Sequence, residues 1–336
     1  MNTRERFMAS MSHGSPDHVP YFEEGIRPEV YEAWRKKGFP RKVISSAAFP
    51  NDRREEVALD VDPHPWPRHW PTSRSELRDF ERRIDPQDPT RLPENWSESI
   101  LRWKNRDHVL MFRVHEGFFL TLGVRDWSRF YELMGLLNDD PEFVREAMQR
   151  QGEFVAQLTE RALSEVEIDA AIINEPIGAN HGPLISPTMY AELVLPSYLP
   201  VLQVLRRHHV EVVTLRTYAN ARALIPALLK CGVDCLWACE ANTQAMDYRS
   251  LRQEFGRDLR LIGGIDLDVL RQDFEAIREE IEQKVPPLLK QGAYVPLADG
   301  RVRKGILPQN YIYYRRLLQK VTQPDQPPPA PRVPTN

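Results

Sequence analysis

Charged and ionisable side chains directly follow the short apolar runs of this sequence, at seven points along the chain. Each run is typical of a buried parallel strand in its length and composition. Because the carboxyl ends of parallel strands meet at one edge, we expect the residues after them to share a site. Those residues are Glu23, Glu24, Arg27, His115, Glu116, Asn174, Glu175, Arg216, Tyr218, Asn220, Glu240, Asp266, Asp299, Arg301 and Arg303. Carboxylates held beside arginines suit a polar substrate and can support proton transfer.

Side-chain chemistry assigns roles within this set. The acids predicted to handle protons are Glu175, Asp266 and Asp299. The residues predicted to bind the substrate are Arg27, Arg216, Tyr218, Asn220, Glu240 and Arg301. Structural explanations stay open beside these roles, because Asp266 can cap a helix and Asp299 can form a turn. Glu175 is the expected partner of Arg216, since a cation that emerges from a buried strand needs a compensating anion.

The strands that position these residues alternate with helices from about residue 141 onward. A long helix opens at Asp140-Pro141, a capping residue followed by proline in the first turn. The later apolar runs are 168–173, 210–215, 233–239, 259–265 and 293–297. Two further runs lie upstream, at 19–23 and 108–115. An eighth strand is expected near 57–61 or 118–123. Seven or eight such units predict an α/β fold that closes into a (β/α)₈ TIM barrel, with a doubly wound open sheet as the alternative.

Two segments depart from this alternation. The segment of about 62–105 includes VDPHPWPRHWPTS, which is too rich in proline for regular structure. We interpret it as an ordered excursion over one face, either a lid or a surface loop pinned by buried Trp66 and Trp70. The tail 323–336 is proline-rich and is predicted to be disordered. The single domain is therefore predicted to span residues 1–322.

Composition limits the classes of partner. The 45 basic and 48 acidic side chains give a net charge of −3, which argues against bulk attraction to nucleic acid or an anionic membrane. No apolar stretch approaches the ~18 residues that a membrane helix needs, and the N-terminus lacks a signal-peptide run. Three cysteines, Cys231, Cys235 and Cys239, fit a reducing interior better than a disulfide framework. These features predict a cytoplasmic protein.

Four segments resemble the uroporphyrinogen decarboxylase superfamily. IDAAIINEPIGANHGPLISPTMYAELVLPSYLPVLQVLRRH resembles its central block, in which an acidic strand end and a short loop precede Leu-Ser-Pro, an aromatic residue and Pro-x-Tyr. LIGGIDLDVL resembles its Gly-Asn-Leu-Asp-Pro strand end, and GAYVPLADGRVRKGILPQNYIYY resembles its closing Gly-His-Gly-Ile block. DHVPYFEEGIRPEVYEAW resembles the opening segment. The resemblance covers about residues 3–322.

The resemblance implies a (β/α)₈ barrel and two enzyme classes. One is the haem-pathway decarboxylase, which needs no cofactor, and the other is the zinc-dependent methyltransferases that exchange methyl groups with corrinoid proteins. The first of the decarboxylase's two opening arginines falls here on Glu23-Glu24, Arg27 matches the second, and its closing histidine aligns with Asp299. These departures argue against uroporphyrinogen itself as the substrate.

The zinc ligands of the methyltransferases form a His-x-Cys motif followed by a distant Cys. The corresponding positions of the motif here are Arg216 and Tyr218, and the late Cys has no counterpart. The resemblance therefore implies neither a metal nor another cofactor for this chain. We predict a decarboxylase-like lyase of divergent specificity that acts on a polar or anionic organic substrate. A zinc-independent corrinoid-linked methyltransferase is the second candidate, and a non-catalytic barrel that binds a tetrapyrrole or a partner protein is the third.

These alternatives leave a small-molecule substrate as the expected partner, with a corrinoid protein and a second copy of the chain left open. The expected absence of a metal is directly testable. The purified protein should hold no stoichiometric zinc, because Arg216 and Tyr218 stand at the ligand positions and zinc needs three or four N or S ligands. Elemental analysis that finds about one zinc per chain, lost when Cys235 or Cys239 is replaced by serine, would contradict this prediction.

Overall fold

The computed structural model describes residues 1–39 and 49–323. The chain divides into two compact units. The central unit is Arg54–Met246, and the terminal unit combines Met1–Arg53 with Asp247–Asn336. None of the helices in the described ranges is long and apolar enough to cross a membrane. Most of the proline-rich tail predicted to be disordered, residues 324–336, lies outside the described residues, and the single domain over 1–322 stays a prediction.

Parallel strands supply the sheets of both units. In chain order they are β1 Arg54–Ala58, β2 Val109–His115, β3 Ala170–Glu175, β4 Val213–Ala219, β5 Cys235–Ala241, β6 Arg260–Ile265 and β7 Tyr294–Ala298. In the central unit the order is β1-β2-β3-β4-β5, with each neighbouring pair parallel. In the terminal unit β6 pairs with β7, also in parallel. The predicted parallel α/β architecture is confirmed.

Helices connect these strands. They are α1 Thr3–Met11, α2 Pro28–Lys36, α3 Arg74–Phe80, α4 Trp96–Trp103, α5 Gly117–Thr121, α6 Trp127–Asp139, α7 Pro141–Leu163, α8 Leu195–Arg207, α9 Ile225–Cys231, α10 Tyr248–Phe255, α11 Phe274–Gln291 and α12 Pro308–Thr322. The predicted start of α7 is confirmed, because the Asp140 side chain accepts a hydrogen bond from Phe143 N at 3.0 Å. A π-helical segment, Tyr190–Val194, leads into α8, which packs against α7.

One strand prediction is wrong, and the two positions left open for a further strand are now distinguished. Residues 19–23 form no strand, because Pro20 lacks an amide N–H and the N–H of Tyr21 donates to the Asp52 carboxylate at 2.8 Å. Among the described residues after this segment, Ile26 forms a single parallel bridge with Val302. Of the two positions proposed for a further strand, 57–61 overlaps β1, whereas 118–123 overlaps the short helix α5.

The irregular segment between β1 and β2 is ordered by one buried arginine. Arg91 is 1% exposed and donates to the backbone carbonyls of Asp60, Asp62, Arg83 and Asp85. Its guanidinium thereby satisfies carbonyls that a loop without regular structure would otherwise leave unpaired. The expectation that two buried tryptophans pin this segment is wrong, because Trp70 is only half-buried and the first of them is exposed. That residue, Trp66, is 49% exposed.

Replacing Arg91 by methionine should therefore destabilise the segment. The variant keeps the apolar stem but leaves the four carbonyls without their donor, which should cost about 3 kcal/mol of unfolding free energy. Denaturant unfolding and limited proteolysis between residues 59 and 105 measure the effect. Exposed Arg82, changed to methionine, is the matched control, and equal stability of the two variants would contradict the assignment.

Candidate functional site

The two faces of the central sheet carry different chemistry at the carboxyl end of β3. Successive side chains of a strand point to opposite faces. Asn174 therefore lies on the face of its register partner Arg216, which we call the polar face. Glu175 lies on the opposite face, beneath tyrosines of the π segment and of α8, which we call the helix face.

A β-bulge in β2 keeps charged residues on the polar face. Arg113 opposes Ile172 and His115 opposes Ile173, so that one extra residue stands between them on β2. The bulge reverses the alternation of side chains beyond it. As a result Glu116 contacts Arg113 three residues earlier in the chain, while His115 packs against the helix face.

Five side chains of the polar face form a closed network, the arginine–carboxylate ring. Arg216 donates through both terminal nitrogens to the two oxygens of Glu56, at 2.7 and 2.8 Å. Its Nε donates to Asn174 Oδ1 at 3.4 Å, and Asn174 Nδ2 donates to Glu116 at 3.1 Å. Arg113 lies 2.7 Å from Glu116 and 3.9 Å from Glu56, which closes the ring. Two guanidinium and two carboxylate groups thus compensate one another through one amide.

Partial burial strengthens the central ion pair of the ring. The side chains of Arg216 and Glu56 are 11% and 26% exposed. Burial raises the pKa of Glu56, but the hydrogen bonds and charge of Arg216 outweigh burial and bring that pKa below its usual value. Arg216 also lies over the ring of Trp237, with 5.3 Å from its Cζ to the centroid. Partial burial, two parallel hydrogen bonds and the contact with Trp237 make this ion pair more stabilising than an exposed ion pair.

The expected pairing of Arg216 with Glu175 is wrong. Arg216 pairs with Glu56, because Glu175 lies on the opposite face of β3. Glu56 is a residue that sequence reasoning missed, although one signal was available. Arg54 and Glu56 alternate with Glu55 and Val57, which places two opposite charges on one face of a strand.

The remaining predicted residues of the central unit lie at the carboxyl ends of β4 and β5. Tyr218 is 37% exposed and shares the polar face with Arg216 two residues earlier. Asn220 accepts a hydrogen bond from Arg222 N, the geometry of a capped turn. Glu240 is exposed at a second bulge and has φ of 43°, a left-handed conformation that favours glycine. Their roles in binding stay predictions.

The predicted acids of the terminal unit follow β6 and β7. Asp266 caps the 3₁₀ helix Leu267–Arg271 by accepting from Asp268 N at 2.8 Å, so the structural explanation for this residue is confirmed. Asp299 is buried and accepts from Leu267 N at 3.1 Å. Both acids therefore hold turns in place, and their part in catalysis stays a prediction.

The predicted cations of this unit are Arg27, which is half-buried, and Arg301. Arg27 occupies the N-cap position of α2 without a side-chain cap bond. Arg301 is exposed and donates to Ile26 O at 3.4 Å. Glu23 is held by Arg315 at 3.3 Å and by the Tyr314 hydroxyl at 3.2 Å. An acid that occupies the position of a family arginine is thus compensated inside the same unit.

Metal binding requires several ligands close together. Within the described ranges, no three His, Cys, Asp or Glu side chains lie near enough to hold an ion. The position that the resemblance assigns to a zinc-binding histidine holds Arg216, whose guanidinium repels a cation. The residues present therefore do not fit the zinc site of the family's methyltransferases.

The helix face contains a second polar group, the Glu175 cluster. Tyr190 and Tyr198 both donate to Oε2 of Glu175, the former at 3.1 Å, and Phe118 N donates to Oε1 at 3.0 Å. The His115 ring lies edge-on to Tyr198, with ring centroids 4.7 Å apart. All five residues are at least 99% buried. Sequence reasoning missed both tyrosines, although they stand at i and i+8 on an apolar helical segment.

Burial controls the protonation of this cluster. It raises the pKa of Glu175 to about 7, against the donors that favour the charged form. It also lowers the pKa of His115 to about 3, so the imidazole is neutral. His115 Nδ1 accepts from Gly117 N at 2.9 Å, which places the imidazole proton on Nε2. Within this cluster the Glu175 carboxyl is therefore the group that titrates near neutral pH.

The raised pKa of Glu175 predicts a pH dependence of stability. Between pH 4.5 and about 7 the unfolded chain loses this proton while the folded protein keeps it, so the unfolding free energy should fall as the pH rises. The total fall should be about 3 kcal/mol. Glu175→Gln should abolish it in denaturant unfolding at a series of pH values, whereas Glu153→Gln, exposed on α7, should not. Parallel pH profiles of wild type and Glu175→Gln would exclude the assigned titration.

Comparisons with known proteins agree with this architecture. The family model described as uroporphyrinogen decarboxylase (URO-D) matches residues 125–295. No curated protein sequence matches the chain. A solved structure described as a methyltransferase from Methanosarcina mazei has a TM-score of 0.63 and 15% identity, and the match covers 95% of this chain and 99% of that one. At this identity the structural similarity shows the fold alone. The family match, which spans half of the chain, shows that the protein belongs to the uroporphyrinogen decarboxylase family.

Proposed function

We propose that the protein is a decarboxylase-like lyase that binds an anionic organic substrate at the polar face of the central sheet. The observation that carries the proposal is the arginine–carboxylate ring. It brings the guanidinium groups of Arg113 and Arg216 to one face near the carboxyl ends of parallel strands, where enzymes of this architecture have their active sites. The proposal includes closure of the strands into the barrel typical of the family.

The proposed reaction replaces a carbon–carbon bond by a carbon–hydrogen bond. The bond to the carboxylate carbon breaks, carbon dioxide leaves, and the electron pair that stays on the substrate carbon takes a proton. Arg216 and Arg113 would orient the anionic substrate, since a planar guanidinium recognises a carboxylate with two parallel hydrogen bonds. An acid must supply the proton.

Glu175 is the proposed proton reservoir of the central unit. Its pKa of about 7 means that it holds a proton near neutral pH, as the reaction requires. Full burial under Tyr190 and Tyr198 on the helix face excludes contact between Glu175 and the substrate, so the proposal requires a second group to carry the proton to the polar face. Asp266 and Asp299 stay predictions for proton handling.

A corrinoid-linked methyltransferase without zinc is the second candidate. The similar solved structure favours it, because that protein is described as a methyltransferase. A corrinoid protein would then be the partner. The two candidates differ in the product, which is carbon dioxide in one case and a methylated corrinoid in the other.

Activity measurements separate the two candidates. The purified protein should release carbon dioxide from at least one acid in a panel of arylacetic and β-keto acids, whose neighbouring groups delocalise the electron pair. Each acid in the panel is tested with and without an amino group. Arg216→Lys loses the bidentate geometry, so kcat/KM should fall roughly 10- to 100-fold, the equivalent of 1.5–3 kcal/mol. Arg150→Lys, on α7 away from the strand ends, should retain activity.

Two results would contradict the proposed decarboxylase. Formation of methylcobalamin from reduced cobalamin and a methyl donor, followed by its visible absorption, would replace the decarboxylase by the methyltransferase. Carbon dioxide release that is unchanged in Arg216→Lys would place the reaction away from the ring.

A further inference from the structure

The ring already fills the binding geometry that a substrate anion would use. Both terminal nitrogens of Arg216 donate to Glu56, and its Nε donates to Asn174. A substrate carboxylate could therefore accept both hydrogen bonds of the Arg216 fork only at the position that the Glu56 carboxylate now occupies. Glu56 is a resident occupant of the Arg216 fork, in the position expected for a ligand carboxylate.

Two buried polar atoms on the same face support a ligand at this place. Trp237 Nε1 and Thr214 Oγ1 are buried and have no hydrogen-bond partner within the described part of the chain. Trp237 opposes Arg216 in the register of β4 and β5, and Thr214 precedes Arg216 by two residues on the same strand. Buried donors without partners are rare in folded proteins and often indicate a molecule that is bound there.

A ligand with only a negative charge would meet resistance from the ring. To reach Arg216 it must separate Glu56 from its partner, and the released carboxylate is 26% exposed and lies 3.9 Å from Arg113, which Glu116 already compensates. Breaking a partly buried ion pair without replacing either partner is costly. Exchange of both partners at once avoids that cost.

We propose that the ring binds a substrate that carries both a carboxylate and a protonated amine. The carboxylate takes the Arg216 fork, and the ammonium group takes Glu56 in place of the guanidinium. Every charge of the ring then keeps an opposite partner. Glu56 is the specificity-determining residue, because it rejects simple anions and accepts zwitterions. This inference rests on the proposed location of the substrate site and adds the chemical class of the substrate.

Three probes with the same number of carbon atoms test the inference. They are propionate as the anion, β-alanine as the zwitterion and propylamine as the cation, titrated into the full-length protein by calorimetry or by saturation-transfer NMR. Wild type should bind β-alanine at least tenfold more tightly than either of the others. In Glu56→Gln, which keeps the shape and loses the charge, propionate should bind at least as tightly as β-alanine.

Glu55→Gln is the matched control. Glu55 is the neighbouring residue of β1, on the opposite face, where it contacts His108 and Arg102. This variant should keep the wild-type preference for β-alanine. Equal affinity of wild type for propionate and β-alanine, no binding of either probe, or an unchanged preference in Glu56→Gln would overturn the inference.

The binding test and the activity test can each fail without the other. A preference for β-alanine that depends on Glu56, without release of carbon dioxide from any acid, would retain the inference and reject the decarboxylase. Release of carbon dioxide that depends on Arg216, without a preference for the zwitterion, would retain the decarboxylase and reject the inference.

Discussion

The bidentate ion pair between Arg216 and Glu56 constrains the shape of the central sheet. These residues stand on β4 and β1, which are separated by β2 and β3. Three intervals between neighbouring strands amount to about 14 Å in a flat sheet. Two side chains meet across that distance when the sheet curls with the polar face inside. The pair therefore fixes the curvature that also brings Arg113 and Asn174 into the same network.

The short segment 116–118 connects the arginine–carboxylate ring to the Glu175 cluster. Glu116 enters the ring, whereas Phe118 donates its N–H to Glu175 two residues later. Gly117 between them has φ of 76°, and a Cβ atom there would lie 2.6 Å from Glu175 Oε1. Only glycine allows this approach. The two networks are therefore connected through two peptide units whose geometry Gly117 restricts.

The sequence predicted the strands better than the faces of the strands. Apolar runs located β2 to β7, and the residues that end them include Asn174 and Arg216 of the ring. Glu56 escaped notice because β1, with the sequence REEVA, contains too few apolar residues to indicate a buried strand. The bulge in β2 could not be predicted, since nothing in VLMFRVH marks the extra residue. Without it, the alternation of side chains would assign Glu116 to the wrong face.

The amide of Asn174 explains why the ring closes without excess charge. It must accept a hydrogen bond from Arg216 and donate another to Glu116 at the same time. A carboxylate at this position could only accept, and it would repel Glu116 across 3.1 Å. A lysine could only donate, and it would repel Arg216. The one neutral member thus joins two ion pairs of opposite orientation, and it lets two positive and two negative groups remain paired on a partly buried face.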